Sequence, residues 1–380
     1  MIIERALTIY LKWKYARILQ LTEFEDLAPP TPVPGREYLV YIHIPFCEEL
    51  CPYCSFNRVP LQEDLARDYF KALNEEIRIY ADLGFQFRSV YVGGGTPTVL
   101  PDEIARLLGI LRDTFPVKEI SLETNPNHLT DEIVPLLKDG GVNRLSVGVQ
   151  SFDDSLLQRM DRYHKYGSGR EIRERLEKYL GVFDTLNVDM IFNFPGQTLK
   201  MIDSDLDVIR ELEADQATFY PLMVSDATRK ELAERFGPIS YRQEQVLYTR
   251  IAERLEGEYD AATAWCFSRR KSMIDEYIVD YDEFSERERI QYDFMMKLFG
   301  TTLDVAEAEK KHGGKFLRSL RKEIAFFRSI GALVSENGVL RLTRKGRYMW
   351  VIMMREFFTG VNNFRDICRV RVDSATRIDT

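Results

Sequence analysis

Three cysteines carry the first chemical signal. Cys47, Cys51 and Cys54 stand in "IPFCEELCPYCSF", residues 44–56, at C-x3-C-x2-C spacing. Cys266 and Cys368 stand alone, and no second C-x2-C pair exists. A structural zinc site would want four ligands, typically two pairs from separate loops. A thioredoxin-like pair needs only Cys51 and Cys54 and leaves Cys47 unexplained. An iron–sulfur cluster uses thiolates and could take four from the protein. With three supplied, one iron stays open for a non-protein ligand.

Other polar and glycine-rich runs accompany the thiols. They are "GGGTPT" (93–98), "ETNP" (123–126), the segment 145–162 ending in Arg162, and "NVDMIFNFPGQT" (187–198). Glycines let backbone approach a ligand without interference from a Cβ. Glu123 and Asp189 also have a plain structural reading, as salt-bridge partners of Arg144 or Arg162.

The elements that must position these residues follow a regular pattern. Strand candidates fall at 38–44, 89–94, 119–124, 144–150, 186–192 and 216–222. Amphipathic helices are expected around 62–82, 101–113, 130–138, 170–181 and 199–213. Six such β-α units imply an α/β fold with a parallel sheet and helices outside. The polar runs all lie at the C-terminal ends of these strands, where a barrel-like fold places its active site. The expected architecture is a partial (β/α)6 TIM-like barrel with an N-terminal helix and a C-terminal helical, winged-helix-like module.

The expected organisation has four parts. Residues 1–36 form a helix and a Pro-rich linker, "APPTPVPG". Residues 37–225 form the core, 226–284 a connecting segment, and 285–380 the C-terminal module. Residues 2–21 read as a helix packed on the core, or as a basic amphipathic helix touching a membrane surface. In the module, "LVSENGVLRLT" reads as a hairpin turning at Asn337-Gly338. "RYMWVIMMREFF" (347–358) reads as a buried helix, or as a Met-rich contact for a greasy substrate.

The totals fit this picture. The chain has 380 residues, 45% hydrophobic and 29% charged, with a net charge of -8. That balance argues against wholesale nucleic-acid binding. Five cysteines, three too close together for a useful disulfide, point to a reducing, cytoplasmic setting. No apolar run approaches the ~20 residues of a membrane span, and no secretory signal is evident.

The stretch "YIHIPFCEELCPYCSF" resembles the cluster loop of the radical S-adenosylmethionine (radical SAM) enzymes. It is nearest to their oxygen-independent coproporphyrinogen III oxidase-like branch, which shares Tyr41, His43, Pro45 and Phe46. The resemblance spans roughly residues 38–225. It implies that Cys47, Cys51 and Cys54 bind a [4Fe-4S] cluster whose open iron takes the amino and carboxylate groups of SAM. It further implies two SAM molecules. Tyr41, Gly94 and Glu123 would fall on the first. Tyr53, Gly95, Thr96, Gln150, Arg162, Asp189 and Met223 would fall near the second. A one-electron donor such as flavodoxin or ferredoxin is implied as partner.

Four departures shape the expected activity. Phe56, after Ser55, stands where coproporphyrinogen oxidases carry a fourth cysteine. Asn193-Phe194 replaces the family's glycine ahead of Pro195. No His-Asn-aromatic stretch of the haem chaperones follows the barrel; "CFSRRKSMIDEYIVDYDEF" (266–284) occupies that region. A glycine-rich segment common in relatives is missing where Phe284 runs almost directly into "SERERIQYDF"; either the protein lacks it or this sequence omits it. These departures point to the branch's class C methyltransferases, which add a methyl group from a second SAM to an sp2 carbon. Two adjacent SAM molecules would supply the proximity such a transfer needs. The expected substrate is a small apolar aromatic, with menaquinone the sharpest candidate, met at a membrane surface. The alternatives are oxidative decarboxylation of coproporphyrinogen III and haem chaperoning.

Overall fold

The structure is a computed structural model that describes residues 2–18, 30–269 and 286–375. The first two linker residues and residues 270–284 of the stretch 266–284 lie outside the described residues.

Six strands run parallel in sequence order: β1 Tyr38–Ile44, β2 Phe87–Gly94, β3 Glu119–Thr124, β4 Arg144–Gln150, β5 Thr185–Phe192 and β6 Gln216–Pro221. Each pairs with the next in parallel, from His43 opposite Gly93 at one end to Asp189 opposite Thr218 at the other. Parallel neighbours need crossover connections, and helices supply them. The strands are dense in buried aliphatic residues, as in Leu145, Val147 and Val149, because helices cover the outer face.

Before β1 comes α1, Ile2–Ile18. The crossovers contain α2 Glu63–Asp82, α3 Pro101–Thr114, α4 Ile133–Asp139, the short α5 Asp154–Arg159 and α6 Tyr163–Tyr166, α7 Gly169–Tyr179 and α8 Leu199–Glu211. Local chemistry sets their starts. Ser168 accepts from Glu171 N–H while Glu171 reaches back to Ser168 N–H, a capping box that starts α7. Thr198 caps α8 by accepting from Met201 N–H at 3.3 Å.

Beyond residue 225 come α9 Asp226–Phe236 and α10 Tyr241–Leu255. Two short strands, β7 Asp260–Ala261 and β8 Cys266–Ser268, then extend the sheet. β8 runs antiparallel to β6, and β7 antiparallel to β8. The sequence pattern gave no sign of these strands, which are too short for alternation to show.

The C-terminal part holds α11 Glu286–Phe299, β9 Thr302–Asp304, α12 Val305–Lys311, α13 Phe316–Ser319 and α14 Arg321–Ser329. The hairpin β10 Leu333–Glu336 and β11 Val339–Leu342 turns at Asn337 and Gly338, both with positive φ. Last comes α15, Arg344–Ala375. It extends well past the 347–358 stretch expected to be buried. That stretch is indeed deep: Trp350, Val351 and Ile352 are fully enclosed. α15 packs along α1 and α10 and then reaches the strand ends.

Candidate functional site

β1 delivers the cysteines to the rim of the sheet. Phe46–Cys47 pairs in parallel with Val59–Pro60, and this clamp closes the loop between them. Val59 N–H donates to Pro45 O and Leu61 N–H to Cys47 O, each at 2.8 Å. Within the loop, Cys54 N–H donates to Cys51 O at 3.2 Å, and Arg58 Nη2 to the same oxygen at 2.6 Å. Cys47 is buried; Cys51 and Cys54 are half-buried. Burial pushes the thiols of Cys47 and Cys54 up, opposed by a Thr96 hydrogen bond at the first and the Arg58 charge at the second.

The glycine run ends β2 directly against this loop. Gly95 N–H donates to Ile44 O at 2.7 Å, and Thr96 N–H to Phe46 O at 2.8 Å. A Cβ on Gly95 would lie 2.6 Å from Phe46 O and 2.9 Å from Cys47 Sγ. Gly94 has φ 125° and would bring a Cβ within 2.7 Å of Ile44 O. Only glycine meets both demands. Thr96 Oγ1 lies 3.8 Å from Cys47 Sγ and accepts from Asn125 Nδ2 at 2.8 Å.

Arg162 places a cation beside the thiols. It is buried, and its Nη1 sits 3.5 Å from Cys51 Sγ and 3.4 Å from Tyr53 Oη. Nη2 donates to Gly148 O and to Asn125 Oδ1. The guanidinium lies 4.0 Å from the Tyr166 ring centroid, a cation–π contact. Its Nε is buried with no partner. Among the described residues Arg162 bonds to neither Glu123 nor Asp189.

Glu123 instead accepts from Tyr91 Oη at 2.7 Å and from Gly94 N–H at 3.1 Å. Burial pushes its carboxyl up to about 7, and the nearby charge of Asp189 adds to the rise. Asp189 accepts from Ser146 Oγ at 2.6 Å and Asn187 Nδ2 at 2.8 Å, and is also raised by burial. Gln150 ends β4 in a left-handed conformation, φ 74°. Tyr41 is exposed and bonded to His43 Nδ1 at 2.9 Å. Met223 O accepts from Asn362 Nδ2 of α15 at 3.2 Å.

The inside of the sheet is polar in layers. Arg144 donates twice to Gln216 Oε1, at 2.9 and 2.7 Å. One layer up, Asn187 donates to Ser146 and accepts from Thr218 at 2.9 Å. Glu123 and Asp189 form the layer nearest the rim. Aliphatic side chains fill the interior of an ordinary TIM barrel; a hydrogen-bonded interior suits a polar ligand entering from the strand ends.

Several contributors escaped the sequence reading. Asn125, inside the quoted "ETNP", bridges Thr96 and Arg162. Ser55 Oγ accepts from Ser225 N–H at 3.2 Å, and its carbonyl from Arg365 at 3.3 Å. Arg365 also lies over the exposed Phe56 ring. Nothing in sequence links positions 310 residues apart. Asn193, the glycine replacement, has φ 68°, a conformation that Asn tolerates better than most residues.

The donor set can be tested against the expected cluster. Among the described residues no three His, Cys, Asp or Glu side chains converge on a single ion. A cluster asks instead for one thiolate per iron. Three thiols on one clamped loop, a glycine cradle that a Cβ would fill, and the orphaned Arg162 Nε fit such a group. An α/β fold with an open, mainly parallel sheet and three thiols at the C-terminal rim is therefore the class of protein that fold and site define.

Comparison with known proteins narrows the class. Residues 41–209 match the family model of the radical SAM superfamily. The superfamily's cofactors are a [4Fe-4S] cluster and SAM. The heme chaperone HemW of Bacillus subtilis is 37% identical over 195 residues, which cover 50% of this chain and 51% of that protein. The oxygen-independent coproporphyrinogen III oxidase of Bradyrhizobium diazoefficiens is 33% identical over 184 residues, 46% of this chain and 40% of that one. The chain thus spans about half the length of the curated relatives it matches. The solved coproporphyrinogen III oxidase of Escherichia coli superposes with a TM-score of 0.69 over 84% of this chain and 89% of its own, at 22% identity. That likeness shows a shared fold.

Proposed function

We propose that the chain is a radical SAM enzyme of the coproporphyrinogen oxidase-like type, acting on a tetrapyrrole-type ring. The observation that carries the radical SAM part is the thiol loop set against Gly94, Gly95 and Glu123 at neighbouring strand ends. A cluster on Cys47, Cys51 and Cys54 would supply the electron that splits SAM into methionine and a 5′-deoxyadenosyl radical. The chain's own residues bind and orient. Glu123 and the Gly94 backbone receive a SAM amino group, while Arg162, beside Cys51, steadies negative charge near the thiolates. The hydrogen-bonded interior holds the rest of the ligand away from bulk water.

The relatives' names favour the tetrapyrrole, either as a substrate for decarboxylation or as a bound haem. Class C methyl transfer to an apolar aromatic ring such as menaquinone is the second reading. Two features support it. One polar set gathers around Glu123 and another around Arg162 and Tyr53, which would suit two SAM molecules. In addition, an exposed apolar ring, Phe56, replaces the fourth cysteine at the mouth.

Anaerobic turnover separates the readings. Iron-loaded protein with SAM and a one-electron reductant should release 5′-deoxyadenosine, and Cys54→Ala should lose both iron and this activity. Decarboxylation of coproporphyrinogen III supports the substrate reading. Stoichiometric haem binding without SAM cleavage assigns a chaperone. Methylated quinone with matching S-adenosylhomocysteine, and no decarboxylation, overturns the tetrapyrrole in favour of methyl transfer.

A further inference from the structure

The C-terminal module has a charge balance opposite to the rest of the chain. Between Val305 and Arg347 there are eleven Lys and Arg against four Glu, although the whole chain carries -8. Some of these cations are neutralised locally. Lys311 pairs with Asp293, Lys315 with Glu286, and Arg344 with Glu253 and Glu256. Among those that make no ion pair with the described residues are Arg318, Arg321, Lys322, Arg328 and Arg341, all exposed.

Their placement makes one surface feature. Arg321, Ala325 and Arg328 recur at i, i+4 and i+7, so they share the outward face of α14. Lys322 adjoins that face, and Arg318 precedes it on α13. α14 packs against the β10–β11 hairpin, where Arg341 stands opposite Val334 on the exposed side. Two bulky apolar side chains project among these cations: Leu317 is 40% exposed and Phe326 45%.

We infer that this face docks the protein on an anionic lipid surface. Charge complementarity selects an anionic partner, and the exposed Leu317 and Phe326 select one with an apolar layer beneath its charges. A nucleic-acid backbone would use the cations and leave those two side chains without a role. A second patch has the same chemistry. On α1, Ile9, Tyr10 and Trp13 are exposed beside Arg5 and Lys12. Glu4 in the first turn of α1 lies in the field of Lys345 in the first turn of α15, and α1 packs along α15. Trp and Tyr favour the headgroup level of a bilayer.

The docking surface does not rest on the radical reading, and its test leaves that reading untouched. The iron-loaded full chain is sedimented with vesicles of phosphatidylglycerol and phosphatidylcholine, and with vesicles of phosphatidylcholine alone. Binding to the anionic vesicles is expected, weakened by ~1 M salt. Replacing Arg321, Lys322 and Arg328 together by Gln should weaken it about 100-fold with iron content unchanged. Phe326→Ser should weaken it about tenfold. No binding, equal binding to both vesicle types, or a triple variant that binds like the parent would overturn the inference. So would a DNA duplex that binds more tightly than the anionic vesicles and loses affinity in the same variant.

Discussion

Glu123 is held between two demands. Burial favours its neutral form, while Tyr91 and Gly94 N–H favour the ionised one, and the carboxyl settles at about 7. Because the folded value is raised above the ordinary 4.5, its contribution to the stability of ligand-free protein is full below that value. The contribution is lost as pH climbs through about 7. SAM should respond in the opposite sense, since an ionised carboxylate holds an ammonium group better. Equilibrium dialysis of iron-loaded protein should show affinity for SAM rising about tenfold from pH 6 to 8. Glu123→Gln should flatten that rise, and an unchanged slope would remove Glu123 from the binding site.

At the scale of elements, the site depends on two stitches. The first is the close passage of β2 beneath the thiol loop. Gly95→Ala places a methyl against Phe46 O and Cys47 Sγ, so the loop must move. Iron per chain should fall by more than half while the far-ultraviolet circular dichroism stays unchanged. The second stitch is Asp205 of α8, which accepts from Ser151 Oγ at 3.0 Å and Phe152 N–H at 2.7 Å and so fixes the turn that follows β4. Asp205→Ala leaves both donors buried without partners and should cost about 2–4 kcal/mol in urea unfolding. Asp205→Asn keeps an acceptor and should cost less.

Across the whole molecule, α15 is the strap. Its middle carries Arg355, which is buried with Glu244 of α10 and Glu356 and also reaches Thr8 of α1 at 3.2 Å. Further on, Asn362 and Arg365 hold Met223 and Ser55 at the rim. Arg355→Leu would strand two buried carboxylates and should destabilise the fold by about 3–5 kcal/mol in denaturant titration. Replacing Glu244, Arg355 and Glu356 together by apolar residues should recover much of that loss. Among the described residues no helix is long and apolar enough to cross a membrane.

Much of this protein was written locally. The thiol spacing, the glycine run and the six parallel strands follow from short-range patterns, because alternation and turn chemistry act over a few residues. The matching edges are close: β3 and β4 occupy the expected 119–124 and 144–150. Tertiary structure decided what lies between strands. Strand alternation says which residues share a face but not which residues of the next strand they meet, so the Arg144–Gln216 and Ser146–Asn187–Thr218 layers stayed hidden. The same limit concealed Asn125 between Thr96 and Arg162, and Arg365 over Phe56. Net charge misled in a similar way. A chain-wide sum of -8 cannot show that unpaired cations gather on α13, α14 and β11, because pairing is a property of neighbours in space.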